Sequence, residues 1–365
     1  MACEVKGKMD HPFSSLSTSK ILQLLGFFAA AALLLLQVLC SSDPINRAAD
    51  PPAVALKTCV EHHAAAEHGG FELSPPSCDK ASDAAAIFDA VYDRGFLAPE
   101  EWEQQKPFDV TRDQAGNVIV TGEMLRHYYT YGASVDHRFS LSGGGSQVET
   151  TEVTRSFLEG VIAKHKITSM LDAPCGDVNW QFYSPVIDLL PVYVGLDVAS
   201  FPIAIATARY GHHSNKRFAN WDISACPLPQ WQRKGAAPSE KQPFELINMR
   251  DVVQHMPLRN GMAALRNVVG SGARFLVTTT FPPNENGNVD DLRPDAFYEN
   301  IMTAAPFNFP DPLECVKSHP QQKKGRLSWL WGSVTGRSNG YEGEKDLLCI
   351  WEVAKLKPIV DGYPL

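Results

Sequence analysis

Thr168-Ser169-Met170-Leu171-Asp172-Ala173-Pro174-Cys175-Gly176-Asp177-Val178-Asn179-Trp180 is the stretch that decides the fold. A short apolar run ends in an acid and turns through a proline and a glycine. A helix is then predicted from Asn179. This is the pattern of a strand that feeds a ligand-binding turn in an open α/β sheet. Further along, Val192-Tyr193-Val194-Gly195-Leu196 ends in Asp197, where a second strand would offer a carboxylate to a ribose. A nucleoside-type ligand is the first expectation.

The flanking residues extend the sheet. A strand is predicted just before Phe218-Ala219-Asn220-Trp221-Asp222-Ile223, a fourth over residues 244–249, a fifth over 273–279, and two more over 314–319 and 347–355, the last two giving an antiparallel edge. Residues 150–165, with Val153, Phe157, Leu158, Val161 and Ile162 on one face, read as a helix leading into the first strand. Residues 83–94 and 121–131 show helical spacing and suggest a cap over the sheet. The glycine loop 141–146 reads either as a flap that closes over a ligand or as a plain linker. Arg250 to Met256, if helical, would place Asp251 and His255 on a shared face.

Composition removes several classes. With a net charge of -8, the chain lacks the basic excess needed to neutralise a phosphate backbone, so no nucleic-acid partner is expected. Eight cysteines in 365 residues are too few for a disulfide scaffold, although Cys59 with Cys78 and Cys315 with Cys349 can pair in an oxidising compartment. Cys175 reads as a free thiol. The histidines of the Pro- and Ala-rich segment 41–81 lack the companions of a metal site. No metal is expected.

Residues 21–40, opening on Ile21 and closing on Cys40, carry no charge. At ~1.5 Å per residue a helix of that length spans ~30 Å, the thickness of a bilayer's hydrocarbon core. Lys6, Lys8 and Lys20 precede it, which places the N-terminus in the cytosol. A signal anchor is expected, with a cleaved signal peptide as the alternative. Both deliver the body of the chain to the secretory lumen.

The turn resembles that of a class I S-adenosylmethionine-dependent methyltransferase, and more narrowly a family whose turn reads Asp-x-Pro-Cys-Gly-Asp followed by Trp. Here those residues are Asp172, Pro174, Cys175, Gly176, Asp177 and Trp180. Pro174 and Val178 stand where the broad class has its first and third glycines. The resemblance implies a doubly wound, Rossmann-like α/β sheet with an antiparallel last strand, and S-adenosylmethionine as cofactor. It implies that the turn residues Pro174, Cys175, Gly176, Asp177 and Trp180, with Arg250, bind the cofactor, that Asp172 accepts from its ammonium directly or through water, Asp197 from its ribose and Asp222 from its adenine, with Trp221 or Ile223 against the ring. The narrower family includes sugar O-methyltransferases, so a glycan or other hydroxylated acceptor in the Golgi is implied. A lipid or small metabolite, or a cofactor-binding protein without transfer, are the alternatives.

For an O-acceptor, His255 reads as the proton acceptor, Asp251 as its orienting carboxylate, and Arg250 as a residue that positions the acceptor or Asp251; the alternative is that His255 caps the ligand pocket and Asp251 its helix, with transfer by proximity and no proton acceptor. The expected organisation is a cytosolic tail (1–20), a transmembrane anchor (21–40), a lumenal stem (41–81), a helical cap (82–141) and the methyltransferase domain (142–365). A single-pass type II Golgi membrane protein is expected, or a lumenal protein after signal cleavage.

Overall fold

Ser169–Asp172 is a four-residue strand with every side chain buried, as a run of apolar residues covered on both faces of a sheet requires. The structure, a computed structural model, describes residues 70–74, 83–94, 109–130, 140–285, 287–288, 297–318 and 346–363. The chain divides into two compact units, Met1–Ala66 and Glu67–Leu365, and all described residues belong to the second. In chain order they form β1 (Phe71–Ser74), α1 (Asp83–Arg94), α2 (Gly122–Thr130), α3 (Glu152–His165), β2 (Ser169–Asp172), α4 (Pro185–Asp188), β3 (Val192–Asp197), α5 (Ser200–Tyr210) and β4 (Lys216–Asn220). Next come β5 (Gln230–Arg233), β6 (Leu246–Met249), α6 (Leu258–Gly270), β7 (Phe275–Thr280), β8 (Glu314–Lys317), β9 (Leu347–Glu352) and α7 (Val353–Asp361).

Seven strands make the main sheet, in the order β4-β3-β2-β6-β7-β9-β8. The first five are parallel. Their order reverses between β2 and β6, the switch point at which open α/β sheets bind ligands. This is the expected doubly wound, Rossmann-like sheet. One detail is corrected: β9 is antiparallel to both β7 and β8, so the reversed strand lies inside the sheet and the edge strand β8 runs with the others.

Apolar spacing explains the layers. Leu258, Met262, Leu265 and Val268 bury one stripe of α6 in a core shared with Ile247, Leu276 and Trp351. On the other face, Phe157, Leu158, Val161 and Ile162 of α3 pack with Met170, Tyr193 and Val277. Two further expectations change. No helix starts at Asn179; a 3-10 turn (Gln181–Tyr183) leads instead to α4, whose first residue is Pro185 and whose cap is Ser184 Oγ, accepting from Ile187 N. The second is the final strand, which stops at Glu352 and hands over to α7.

Phe71–Ser74, within the segment read as a linker, pairs antiparallel with β5. Cys315 and Cys349, which face each other in register on β8 and β9, form a disulfide, and Cys226 is also disulfide-bonded. The Cys59–Cys78 pairing, the three linker histidines, the segment 319–345 and the apolar run 21–40 lie outside the described residues. Among the described residues, no helix is long and apolar enough to cross a membrane.

Candidate active site

The turn after β2 is fixed by its neighbours on both sides: Ala173 N donates to Asn248 O (2.9 Å) and Cys175 N to Leu196 O (2.8 Å). Gly176 adopts φ 57°, and a Cβ there would lie 2.5 Å from Ser142 Oγ. Only glycine meets both conditions. Val178 also has a positive φ, 53°, so the turn keeps a left-handed backbone where the broad class has glycine. Gly195 on β3 solves a different problem, since a Cβ would lie 2.9 Å from Cys175 Sγ. Its absence gives the thiol a place to pack.

A cavity of about 690 Å3 opens at this edge of the sheet. Its floor is the turn itself, through Pro174, Cys175, Gly176 and Trp180. Asp197, Trp221, Asp222 and Ile223 line one side, and Arg250, Asp251 and His255 the other. The roof is α1, through Ile87, Phe88, Val91 and Tyr92, together with Ser142, Gly143, Gly145 and Ser146 of the glycine loop. That loop is therefore part of the site rather than a linker. Tyr92 Oη and Ser142 Oγ are 2.8 Å apart, which ties the two parts of the roof together.

Two of the acids expected at the ligand, Asp172 and Asp177, stand behind the cavity wall. Asp172 does not line the cavity: its carboxylate accepts from Gln181 Nε2 (2.9 Å), Tyr193 Oη (2.7 Å) and Asn248 Nδ2 (2.7 Å). Burial raises its pKa, and these three donors oppose the rise. Asp172 thus orients Gln181 and Asn248, which do line the cavity. Asp177 is likewise behind the surface, accepting from Ser140 Oγ (2.8 Å) and Leu141 N (2.7 Å), and so anchors the start of the glycine loop.

Asp197 is where a ligand's hydroxyls would need it. Its carboxylate accepts from Ala199 N (2.9 Å) and Gly176 N (3.0 Å), yet burial pushes its pKa up to about 7. Trp221 sits beneath it through a bond from Trp221 N to Asp197 O (2.8 Å). Asp222 stabilises its own turn, with Oδ1 accepting from Ser224 N and Ser224 Oγ (2.8 and 2.7 Å), and still faces the cavity. Burial raises the Cys175 thiol well above its ordinary pKa, so it is a neutral wall of the pocket and not a nucleophile.

The Arg250 to Met256 segment departs from the helical expectation. Asp251 has φ 53°, and only a 3-10 turn, Val253–His255, comes after it. The shared helical face that would have aligned Asp251 with His255 is absent. Asp251 Oδ1 instead accepts from Thr279 Oγ1 (2.9 Å) and Gln254 Nε2 (3.1 Å), while Oδ2 pairs with Arg250 Nη2 (2.8 Å). Arg250 also donates to Gly145 O (2.9 Å) in the glycine loop, and its guanidinium lies 5.8 Å from the Trp180 ring centre. The His255 ring stands 5.8 Å from that of Phe297, which itself meets Phe281 edge-on.

On side chains that line the cavity, Trp221 Nε1, Asn248 Oδ1, Arg250 Nε and Gln254 Oε1 are buried with no hydrogen-bond partner among the described residues. Buried polar groups are nearly always paired, and leaving one unpaired costs about 1–3 kcal/mol. Asn248 and Gln254 are site residues that the sequence alone does not single out. The one signal for Asn248 is a lone amide at the end of an otherwise apolar strand. Among the described residues, no cluster of His, Cys, Asp or Glu is arranged to hold a metal ion.

No protein-family model and no curated protein matches the chain. Solved structures do. The N-methyltransferase NodS of Bradyrhizobium japonicum, in complex with S-adenosyl-L-homocysteine, is similar over 55% of this chain and 87% of its own at 17% identity, with a TM-score of 0.36. The magnesium protoporphyrin IX methyltransferase of Synechocystis with bound S-adenosylmethionine is similar over 56% of this chain and 79% of its own at 11% identity and a TM-score of 0.32. CalS10, an amino pentose methyltransferase of Micromonospora echinaspora, is similar over 35% of this chain and 50% of its own at 18% identity and a TM-score of 0.28. At such scores these likenesses carry no weight of their own, and the site is defined by the strand order and by the residues that line the cavity.

Proposed function

We propose that this chain is an S-adenosylmethionine-dependent methyltransferase that methylates a sugar hydroxyl of a glycan or glycoconjugate in the Golgi lumen, anchored through residues 21–40. The observation that carries the chemistry is the convergence of Asp197, Trp221, Asp222, Asn248 and Arg250 on one cavity at the sheet's switch point. The residues fit the cofactor. Asp197 accepts from the ribose hydroxyls, Asp222 from the adenine amino group, and Trp221 and Ile223 flank the ring. Gly176 leaves the space that the methionine portion needs.

S-adenosylmethionine, held by Asp197, Trp221, Asp222 and Ile223, would supply an electrophilic methyl on a sulfonium and, in losing it to an acceptor oxygen, would leave as the neutral thioether. His255 receives the proton that the hydroxyl gives up. Asp251 holds Arg250 and Gln254, and Arg250 holds the glycine loop over the site. The roof of α1 keeps water from the transfer.

A sugar acceptor is supported by the polar loop after β7 and by the aromatic lip of Phe281 and Phe297, since an aromatic face suits the apolar face of a pyranose. The same lip, with exposed Phe297 beside Met256 and Pro257, favours a small apolar metabolite or a lipid as the second reading.

Calorimetry with S-adenosyl-L-homocysteine and a labelled-methyl assay on lumenal glycan and lipid fractions separate these. Label in a glycan hydroxyl supports the first reading, and label in a lipid or metabolite the second. Binding with no transfer makes the chain a cofactor-binding protein, and no binding removes the methyltransferase reading altogether. A His255→Ala variant is expected to bind cofactor normally and to lose about 100-fold in turnover. Full turnover in that variant removes the proton-acceptor role. A C-terminal tag in sealed microsomes should resist protease until detergent is added, as a lumenal body requires.

A further inference from the structure

Cys226 is 5% exposed and disulfide-bonded. Of the other cysteines, Cys175 is free and Cys315 is joined to Cys349, which leaves Cys3, Cys40, Cys59 and Cys78 as candidate partners. Cys78 alone of these four belongs, with Cys226, to the unit Glu67–Leu365.

The pairing of β1 with β5 decides among them. The two strands run antiparallel, with Phe71 opposite Arg233 and Ser74 opposite Gln230. Followed onward one residue for one residue, that register brings Pro75 opposite Pro229, Pro76 opposite Leu228, Ser77 opposite Pro227, and Cys78 opposite Cys226. Proline cannot donate to a ladder, which is a reason for the paired strands to end at Ser74, but its fixed φ favours an extended chain. On the β5 side the alternation of an extended chain continues as far as the cysteine, since Leu228 and Cys226 are buried and Pro227 between them is exposed. Residues directly opposite in an antiparallel pair carry their side chains on one face, with Cα atoms about 4.5–5.5 Å apart, within the span of a disulfide. Cys315 and Cys349 bond from the same relation across β8 and β9.

We infer that Cys226 is bonded to Cys78, in place of the Cys59–Cys78 pair that spacing suggests, and that this bond fastens the roof of the cavity to the wall formed by Asp222 and Ile223. Cys78 itself lies outside the described residues. Two thiols make the bond by passing two electrons and two protons to a disulfide oxidant, which is left as two thiols. On one side, Cys226 N donates to Asp222 O at 2.9 Å, so the bond anchors the turn whose Asp222 and Ile223 line the cavity. On the other, Asp83, the first residue of α1, follows Cys78 by five residues, which reach at most ~18 Å. Asp83, Ala84 and Ile87 line the cavity from its roof, so the bond limits how far that roof can lift. The pairing is independent of the methyltransferase reading; its effect on cofactor affinity rests on that reading.

The test uses the full-length chain, kept oxidised. Free thiols are alkylated at mildly acidic pH, the chain is cut with trypsin and a glutamate-specific protease, and the fragments are identified by mass spectrometry. Cutting after Glu72 separates Cys59 from Cys78, so the expected species is Leu73–Lys80 joined to Phe218–Arg233, which splits into its halves on reduction. Cys226 found joined to a fragment holding Cys3, Cys40 or Cys59, or alkylated without reduction, overturns the inference.

Cys78→Ser should speed hydrogen exchange over 83–94 relative to β3 and weaken S-adenosyl-L-homocysteine binding about fivefold or more, whereas Cys59→Ser should change neither. Unchanged exchange in α1 or unchanged affinity overturns the fastening of the roof. Should Cys78→Ser fail to fold, the wild type is compared before and after treatment with a phosphine, which takes oxygen from water and leaves two thiols. A wild type that does not bind S-adenosyl-L-homocysteine removes the methyltransferase reading, while the linked peptide and the exchange in α1 still decide the bond and its effect.

Discussion

Asp197 is pushed to about 7 by burial, from an ordinary value of 3.8. Folding of the free protein therefore favours its protonated form, and that contribution to stability is full near pH 4 and is lost as pH rises through about 7. Ribose hydroxyls donate to the ionised form, so the cofactor pulls the other way. Binding of S-adenosyl-L-homocysteine should release a proton near pH 7, and its affinity should fall about tenfold per pH unit below that. Calorimetry in two buffers of different ionisation heat reads the proton directly, and Asp197→Asn should abolish the dependence. Gly176→Ala forces an alanine to φ 57° against Ser142 Oγ, for a loss of roughly 1–2 kcal/mol from the backbone alone. A lowered melting temperature together with weaker cofactor binding is the expected result. At this scale the sequence showed which acids end strands, because an acid after an apolar run is conspicuous. It did not show that Asp172 and Asp177 face inward, since that depends on Tyr193, Gln181, Asn248 and Ser140, which arrive from distant positions.

The roof is held to the sheet by one polar cluster. Ser200 N and Ser200 Oγ both donate to Asp89 Oδ1 (2.7 and 2.8 Å), so a residue of α1 caps the N-terminus of α5, whose own Ala199 has no side chain for the task. Arg112 joins the same group through Ser200 Oγ (2.6 Å) and Asp93 (3.1 Å). Asp89→Ala should cost about 1 kcal/mol, a typical loss for an N-cap, by chemical denaturation. Hydrogen exchange in α1 should accelerate more than in β2 or β3, because α1 loses its fastening while the sheet does not. The strands and long helices were legible because their apolar periods differ. The stretch from Arg250 to Met256 was not, because two residues with positive or irregular backbone angles, Asp251 and Val252, break a helix that side-chain spacing alone allows. The helix expected from Asn179 begins only at Pro185, a residue suited to a first helical position.

For the molecule as a whole, the Cys315–Cys349 disulfide closes 34 residues of chain between β8 and β9. In the chain-entropy view a loop of that length contributes about 3–4 kcal/mol. The double variant Cys315→Ala/Cys349→Ala should lose stability on that order in denaturant titrations. It should keep cofactor affinity, because the disulfide joins β8 to β9, away from the β2–β6 switch point. The pair was anticipated from spacing, but its placement across two neighbouring strands depends on the reversed direction of β9. The cavity's two halves differ in the same way. Its floor is local to one turn and could be read from the sequence, whereas its roof and acceptor lip are assembled from α1, the glycine loop and residues 281 and 297, whose convergence only the fold reveals.

The position of β9 also bears on how the chain is made. Among the described residues β8 pairs only with β9, and β9 comes after it in sequence at a long interval. During synthesis β8 therefore emerges with no strand to receive it, and β7 waits with an open edge until the final strand slides between them. A stop codon between residues 318 and 347 leaves two strands out of the sheet rather than one, since β8 then has no β9 to pair with, and exposes the side of β7 that β9 would have covered. Translation through β9 is thus a condition for a closed sheet, and chains that stop short of it would carry a sticky edge for chaperones and proteases to recognise.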